Sequence, residues 1–273
     1  MNITKDWRTF KVVFLRNLKL YTSYRTWIIA TVIWPLPLLA VNVYQYMAFG
    51  TVADVSRTLE PYGGIGIIVV GTVVYLLYNR LLWGTGVSIQ SERWMGTIEV
   101  LFLTPANKMI ILLASGLSSL IEASWWIFSI LFLGWAIFGV QPSITSWPAV
   151  FICVASTMAA LVSVGVFFAG FFVLTRAADQ LASGLQAPIR FFSGVAFPVS
   201  VLPQMLQYVS HLIPVTYGIL ALRKCVLLGG DLGSIWIDLA PLWLMTTIFL
   251  ILGQITLRIV ERQTKKKGTL YLF

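Results

Sequence analysis

The sequence predicts an all-α membrane protein of six transmembrane helices, a single transmembrane domain over residues 1–273. Three observations carry that prediction. Hydrophobic residues make up 58% of the chain and charged ones 11%, where a soluble domain holds about 25% charged residues. The apolar residues fall in runs close to the roughly 20 residues needed to cross a hydrocarbon core, and the chain accommodates six such runs with short loops between them. Eleven Trp and ten Tyr suit the two membrane interfaces, where amphipathic rings rest at headgroup level.

Residues 5–24 place Trp7, Phe10, Phe14, Leu18 and Tyr21 at helical intervals with Arg8, Lys19 and other cations between them. This is the pattern of a helix lying flat on an anionic leaflet. A cleavable signal peptide is not expected, because the charged stretch is long and no small-residue cleavage site follows a short apolar core. The first span covers 27–49, with Pro35 and Pro37 inside it, which neighbouring helices can tolerate in a membrane. A short loop with Asp54, Arg57 and Glu60 leads to a second span, 62–87, rich in glycines that allow close helix packing. Residues 91–105 break the apolar pattern. On a wheel of about 100° per residue, Trp94, Met95, Ile98, Leu101 and Phe102 share one side, and Glu92, Gly96, Glu99 and Leu103 the other. The stretch reads as a short amphipathic helix, apolar side inward and acidic side outward, ended at Thr104-Pro105 because proline lacks a donor and disfavours helical geometry before it. Spans three, four and five follow at 109–139, 148–175 and 180–198, and span six at 234–260.

Between spans five and six, residues 199–228 are apolar but interrupted by Pro203, Ser210-His211, Pro214 and Gly218, a poor continuous span. Were they to cross, the five-cation tail from Arg258 to Lys267 would face the side opposite the six cations from Lys5 to Arg25. We therefore read 199–228 as a re-entrant pair of short helices dipping in from the outer face. Both termini then lie on the cytoplasmic side of the plasma (inner) membrane, with Arg93, Lys108 and Arg176, and the outer side holds Arg57, Arg223 and Lys224, as the positive-inside rule requires. The formal charge of +9 is thereby explained by topology, and no nucleic-acid partner is expected. Membrane lipids are.

Two stretches resemble a known family. Glu92-Arg93, Gly96-Thr97, Glu99, Leu101 and Thr104-Pro105 stand at the spacings of E-R-x-x-G-T-x-E-x-L-x-x-T-P, which resembles the cytoplasmic loop of type-2 ATP-binding-cassette (ABC) exporter permeases. The sequence departs from that pattern after the proline, at Ala106-Asn107-Lys108. Ser193, Gly194, Phe197, Pro198, Leu202, Pro203, Leu206, Gln207, Pro214, Thr216, Tyr217, Leu222 and Arg223 match the run that closes the fifth span and builds the outer re-entrant helices of the same permeases. The resemblance implies that 91–105 is a coupling helix docking on an ATPase through Glu92, Arg93, Gly96, Thr97, Glu99, Leu103, Thr104 and Pro105. It also implies two ABC ATPase subunits and a second permease copy or homologue as partners, and export of amphipathic or hydrophobic cargo such as drugs, lipids or glycolipids.

The residues give little support to catalysis. His211 is the only histidine and is read as a loop residue at the outer interface. Cys153 and Cys225 lie in segments placed apart, with no metal-ligand spacing, and no cofactor or metal is expected in this chain. No G-x-x-x-x-G-K-[ST] run occurs, so ATP and its Mg belong on a partner. Ionisable groups inside spans are functional candidates by default, and Glu122 in span three and Arg190 in span five stand out. Both lie about a dozen residues from a cytoplasmic end, roughly 15–20 Å along their helices. Two readings stay open: the two pair inside the bundle, or each snorkels or faces a polar cavity separately. Phe191, Phe192, Phe197 and Pro198 cluster where span five ends and suit a hydrophobic gate, lipid-facing packing being the alternative. The other functional class considered, a secondary transporter driven by an ion gradient, is disfavoured by the scarcity of acidic residues in the spans and the absence of a clear inverted repeat. A membrane-bound enzyme is disfavoured for want of clustered acidic, histidine or cysteine residues.

Overall fold

A computed structural model of the protein describes residues 3–47, 64–104, 106–173, 175 and 178–267. The expected end of span one and start of span two, the loop with Asp54, Arg57 and Glu60, and Pro105 and Arg176 lie outside the described residues, as does the side chain of Glu99. Among the described residues the regular structure is helical throughout. It comprises α1 (Ile3–Ser23), α2 (Arg25–Ile33), α3 (Pro35–Met47), α4 (Gly66–Leu81), a π-helical turn (Leu82–Gly86), α5 (Ser88–Trp94), α6 (Ile98–Leu103), α7 (Lys108–Ala136), α8 (Trp147–Val173), α9 (Ala178–Phe192), a 3₁₀ turn (Val199–Val201), α10 (Gln204–His211), α11 (Pro214–Leu227) and α12 (Leu232–Lys267).

Five helical stretches are long and apolar enough to cross a membrane: Thr26–Gln45, which joins α2 and α3, then Gly66–Gly86, Lys108–Ala136, Trp147–Val173 and Leu232–Arg262. The chain is a multi-pass membrane protein. Its centre is α4, whose span is 78% buried, against 22% for α12. That difference follows from sequence: the glycines and β-branched residues of α4 let neighbours approach from every side. Gly66, Gly71 and Gly84 each have a neighbour too close to admit a Cβ, and at Gly71 the obstacle is the carbonyl of Val195. α8 packs along α12 through a similar device. Gly170 sits against Thr256 and Gly253 against Val166, each closer than a Cβ would allow.

The fifth expected span, 180–198, differs most from the structure. Its helix α9 runs only from Ala178 to Phe192, about 22 Å at 1.5 Å per residue, and carries Pro188 inside it. Beyond Phe192 the chain turns at Gly194, whose φ of +69° is a conformation open to glycine and strained for other residues. The expected re-entrant segment is indeed two short helices. α10 and α11 meet at 93°, with Pro214 starting α11, where its missing N–H leaves no bond unmade.

The expected single helix over 91–105 is two. α5 ends at Trp94 and α6 begins at Ile98, with Gly96 at φ +70° between them. A wheel drawn through the whole stretch assumes one axis, and the left-handed glycine gives each half its own.

Candidate functional site

The α5–α6 hairpin is seated on an apolar cluster separate from the main core. Ile89 and Ile98 pack there with Leu112 of α7, Val166 and Val173 of α8, and Leu257 and Val260 of α12. Ionic contacts complete the seat. Glu92, buried, accepts from Arg16 Nη2 of α1 at 2.8 Å and from Thr97 Oγ1 at 2.6 Å, while its carbonyl receives the Thr97 N–H at 2.9 Å. Arg93 donates from Nη2 to the Val173 carbonyl at 2.9 Å and from Nη1 to the Thr175 carbonyl at 3.2 Å. A cation there satisfies carbonyls that the end of α8 leaves without helical partners. Lys108 donates from Nζ to the carbonyls of Thr104 and Ala106 at 2.7 and 2.9 Å.

The hairpin's orientation is the reverse of part of the wheel. Glu92, expected outward, points in, and Trp94 and Met95, expected inward, are exposed. Ile98 keeps its expected inward side, and Leu103 is the most open of the large apolar side chains among the described residues, at 83%. Gly96, Thr97 and Thr104 are exposed beside it. Among the described side chains the outer surface of the hairpin is thus apolar and small-residue in character, and Glu92 and Arg93 hold it to α1 and α8.

At the other end of α4, about 30 Å away at 1.5 Å per residue, Arg223 joins three segments. Its Nε and Nη2 donate to the carbonyl of Ile67 at 3.2 and 2.9 Å, and Nη2 also reaches Gly194 and Val195 at 2.8 and 3.0 Å. Arg223, placed by topology among outer loop cations, is 7% exposed. Its guanidinium fork supplies several donors in one plane, so one side chain serves carbonyls of two other segments. The aromatic cluster is present here: Phe191 lies edge-on to Phe192 at 5.3 Å and to Phe197 at 5.6 Å, with Phe191 exposed and Phe197 and Pro198 partly covered. His211 is exposed at the end of α10, with its ring 5.7 Å from that of Tyr217.

Glu122 and Arg190 have different partners in the structure. Glu122 is ion-paired to Arg80 of α4 and also accepts the Trp27 indole N–H at 2.8 Å. Arg190 donates to Asn42 of α3 and lies 5.9 Å from the ring centre of Tyr75, near enough for a cation–π contact. Asn42 in turn donates to Thr72 at 3.1 Å. Each group is thus satisfied by a different helix pair. Arg80, the partner that sequence reasoning passed over, carried the same signal that marked Glu122, an ionisable residue within an apolar run. The cysteines, placed apart in sequence, meet with their Sγ atoms 2.9 Å apart, both buried. Near them Lys224 pairs with Asp238 of α12 at 2.6 Å. No group of three or more His, Cys, Asp or Glu able to hold a metal occurs among the described residues.

Comparison with known proteins places these features. The family model described as ABC-2 type transporter matches residues 8–227, from α1 through α11, and so includes both ends of α4. No curated protein matches the chain.

Proposed function

This chain belongs to the ABC-2 type transporter family, and we propose from that premise that it is the membrane half of an ATP-driven exporter whose fuel is hydrolysed on separate subunits. A permease of this family works with ABC ATPase partners. In the proposed assembly two ATPases sit beneath two permease chains, identical or homologous, and both termini of this chain face the cytoplasm with them.

The observation that carries the reading is the α5–α6 hairpin. It joins two spans, presents Trp94, Met95, Val100 and Leu103 outward, and rests on side chains from α7, α8 and α12. Such a lever takes a push from a soluble partner on its apolar tip and delivers it to three long helices at once. Interfaces of this kind bury apolar anchors at their centre and leave charge at the rim. Glu92 and Arg93 act in this proposal as the struts that keep the hairpin from yielding under load. At the far end, α9 and the Phe191–Phe197 cluster border the pathway, and their separation opens it. Cargo is amphipathic or hydrophobic, a drug, lipid or glycolipid, in keeping with the aromatic gate.

Purification of the chain from its native membrane tests this. We expect a P-loop subunit to copurify, and the complex, once in lipid, to hydrolyse ATP at a rate that falls when Leu103→Asp is introduced at the hairpin tip. Transport of cargo into sealed vesicles by the chain without any nucleotide-hydrolysing companion would overturn the reading.

A further inference from the structure

A cavity of about 440 Å³ lies between α1 and the bundle, walled by α1, α4, α5 and α7, with Leu101 of α6 and Tyr24 and Trp27 also lining it. Its volume is in the range of small-ligand sites. The hairpin's contacts with α7, α8 and α12 leave it unused. Four ionised side chains line it, and they form two ion pairs, Arg16 with Glu92 and Arg80 with Glu122. The lining charge therefore sums to zero. Ser91, Ser115 and Ser118 add hydroxyl oxygens, and Tyr24 and Trp27 add exposed ring faces. Of the two guanidinium groups, that of Arg16 is half exposed and open to the cavity.

We propose that this cavity holds the headgroup of a zwitterionic phospholipid bearing a primary ammonium, of the phosphatidylethanolamine type. Charge selects the class. A net anion is drawn to either arginine only against the carboxylate already paired with it, and a net cation meets the converse. A zwitterion laid antiparallel to the ion pairs adds attractive contacts without breaking either. Its phosphate oxygen lies against the guanidinium of Arg16, which is half exposed. Its ammonium finds the serine oxygens, the carboxylates and the faces of Tyr24 and Trp27, where a cation is held by the ring quadrupole. A primary ammonium suits this set better than a quaternary one, because its three N–H groups can donate to those oxygens.

Position selects a membrane lipid as the source. α1 exposes Trp7, Val12, Leu15 and Leu20 between its cations, the character of a helix at the boundary of headgroups and acyl chains. A cavity walled by α1 opens at that depth. The bound lipid fills the space between α1 and α7 and stiffens the seat of Glu92. The proposal rests on the chain being a membrane protein and is independent of what it transports.

Native mass spectrometry of the protein, extracted with its copurifying partners, tests this directly. The preparation is offered an equimolar mixture of dioleoyl phosphatidylethanolamine, dioleoyl phosphatidylglycerol and a dioleoyl monoglycosyl glycerol. We expect phosphatidylethanolamine adducts to exceed each of the others by about fivefold, the effect of one added hydrogen bond. We also expect the excess to vanish in Ser91→Leu, which narrows the cavity and leaves both ion pairs in place. Equal or greater retention of the anionic or the glycosyl lipid overturns the proposal, and so does a phosphatidylethanolamine excess that Ser91→Leu leaves unchanged. The wild-type ranking needs no variant, so a misfolded S91L does not rescue a failed preference. Because the readout is binding, its failure leaves the exporter reading standing.

Discussion

The two ends of α4 are each gathered by an arginine, yet they are built on opposite principles. At one end Arg223 is buried and donates to the backbone carbonyls of Ile67, Gly194 and Val195. At the other, Arg16 is half exposed and holds α1 to the hairpin through a carboxylate, Glu92. Backbone carbonyls cannot be protonated, and buried contacts are little screened by salt. An ion pair with a half-exposed partner is weakened by salt. The contrast sets a salt-insensitive tie at the α10–α11 end against a salt-sensitive one at the hairpin end.

The largest effect is expected at the α10–α11 end. Arg223→Ala takes a shared donor from three carbonyls and leaves an emptied space, and should destabilise the protein by about 3 kcal/mol or more, seen as a lower thermal midpoint that added salt leaves unchanged. Arg223→Lys keeps the charge without the planar fork and should fall between. Glu122→Ala, midway along the bundle, leaves Arg80 without its carboxylate; with Arg80 partly exposed, we expect about 2 kcal/mol in the same assay. At the hairpin end, Glu92→Ala should lower the midpoint by about 1 kcal/mol or less, since Arg16 is solvated, and that loss should shrink as salt is raised. A salt-insensitive Glu92 or a salt-sensitive Arg223 would erase the contrast.

The smallest effect is at Asp231, just before α12. Its carboxylate accepts the Ser234 backbone N–H at 3.0 Å, and that hydrogen bond, followed by the contact with the Ser234 side chain, holds the Asp231 carboxyl below the usual carboxylate range. A depressed folded value means that the cap contributes fully above the ordinary aspartate pKa of about 3.9 and is lost as pH falls through the lowered value. Asp231→Ala should thus melt slightly below the parent near neutrality and coincide with it in acid.

Composition and runs of apolar residues made the helical membrane class legible, and proline and glycine positions made the bent α10–α11 pair legible as well. What escaped was relative rotation. The Gly96 turn resets the azimuth of α6 against α5, so a wheel drawn through 91–105 sent Glu92 outward when it faces Arg16. Pairing across the bundle escaped for a related reason. Depth along a helix is countable from sequence, but facing is not, and Glu122 had Arg80 as well as Arg190 at reachable depth. Arg223 was counted as a loop cation because its fork is satisfied by carbonyls, which leave no residue-type signature.

Placement of the partner ATPase on one end of this asymmetric bundle is the claim on which the account depends. Single cysteines at Leu103 and Met205, both exposed and at opposite ends, introduced into an otherwise cysteine-free chain, labelled with a short thiol-reactive photocrosslinker and irradiated in native membranes, test it. The account predicts that Leu103→Cys joins this chain to a nucleotide-binding subunit and that Met205→Cys does not. Capture of that subunit from Met205, with none from Leu103, would contradict it.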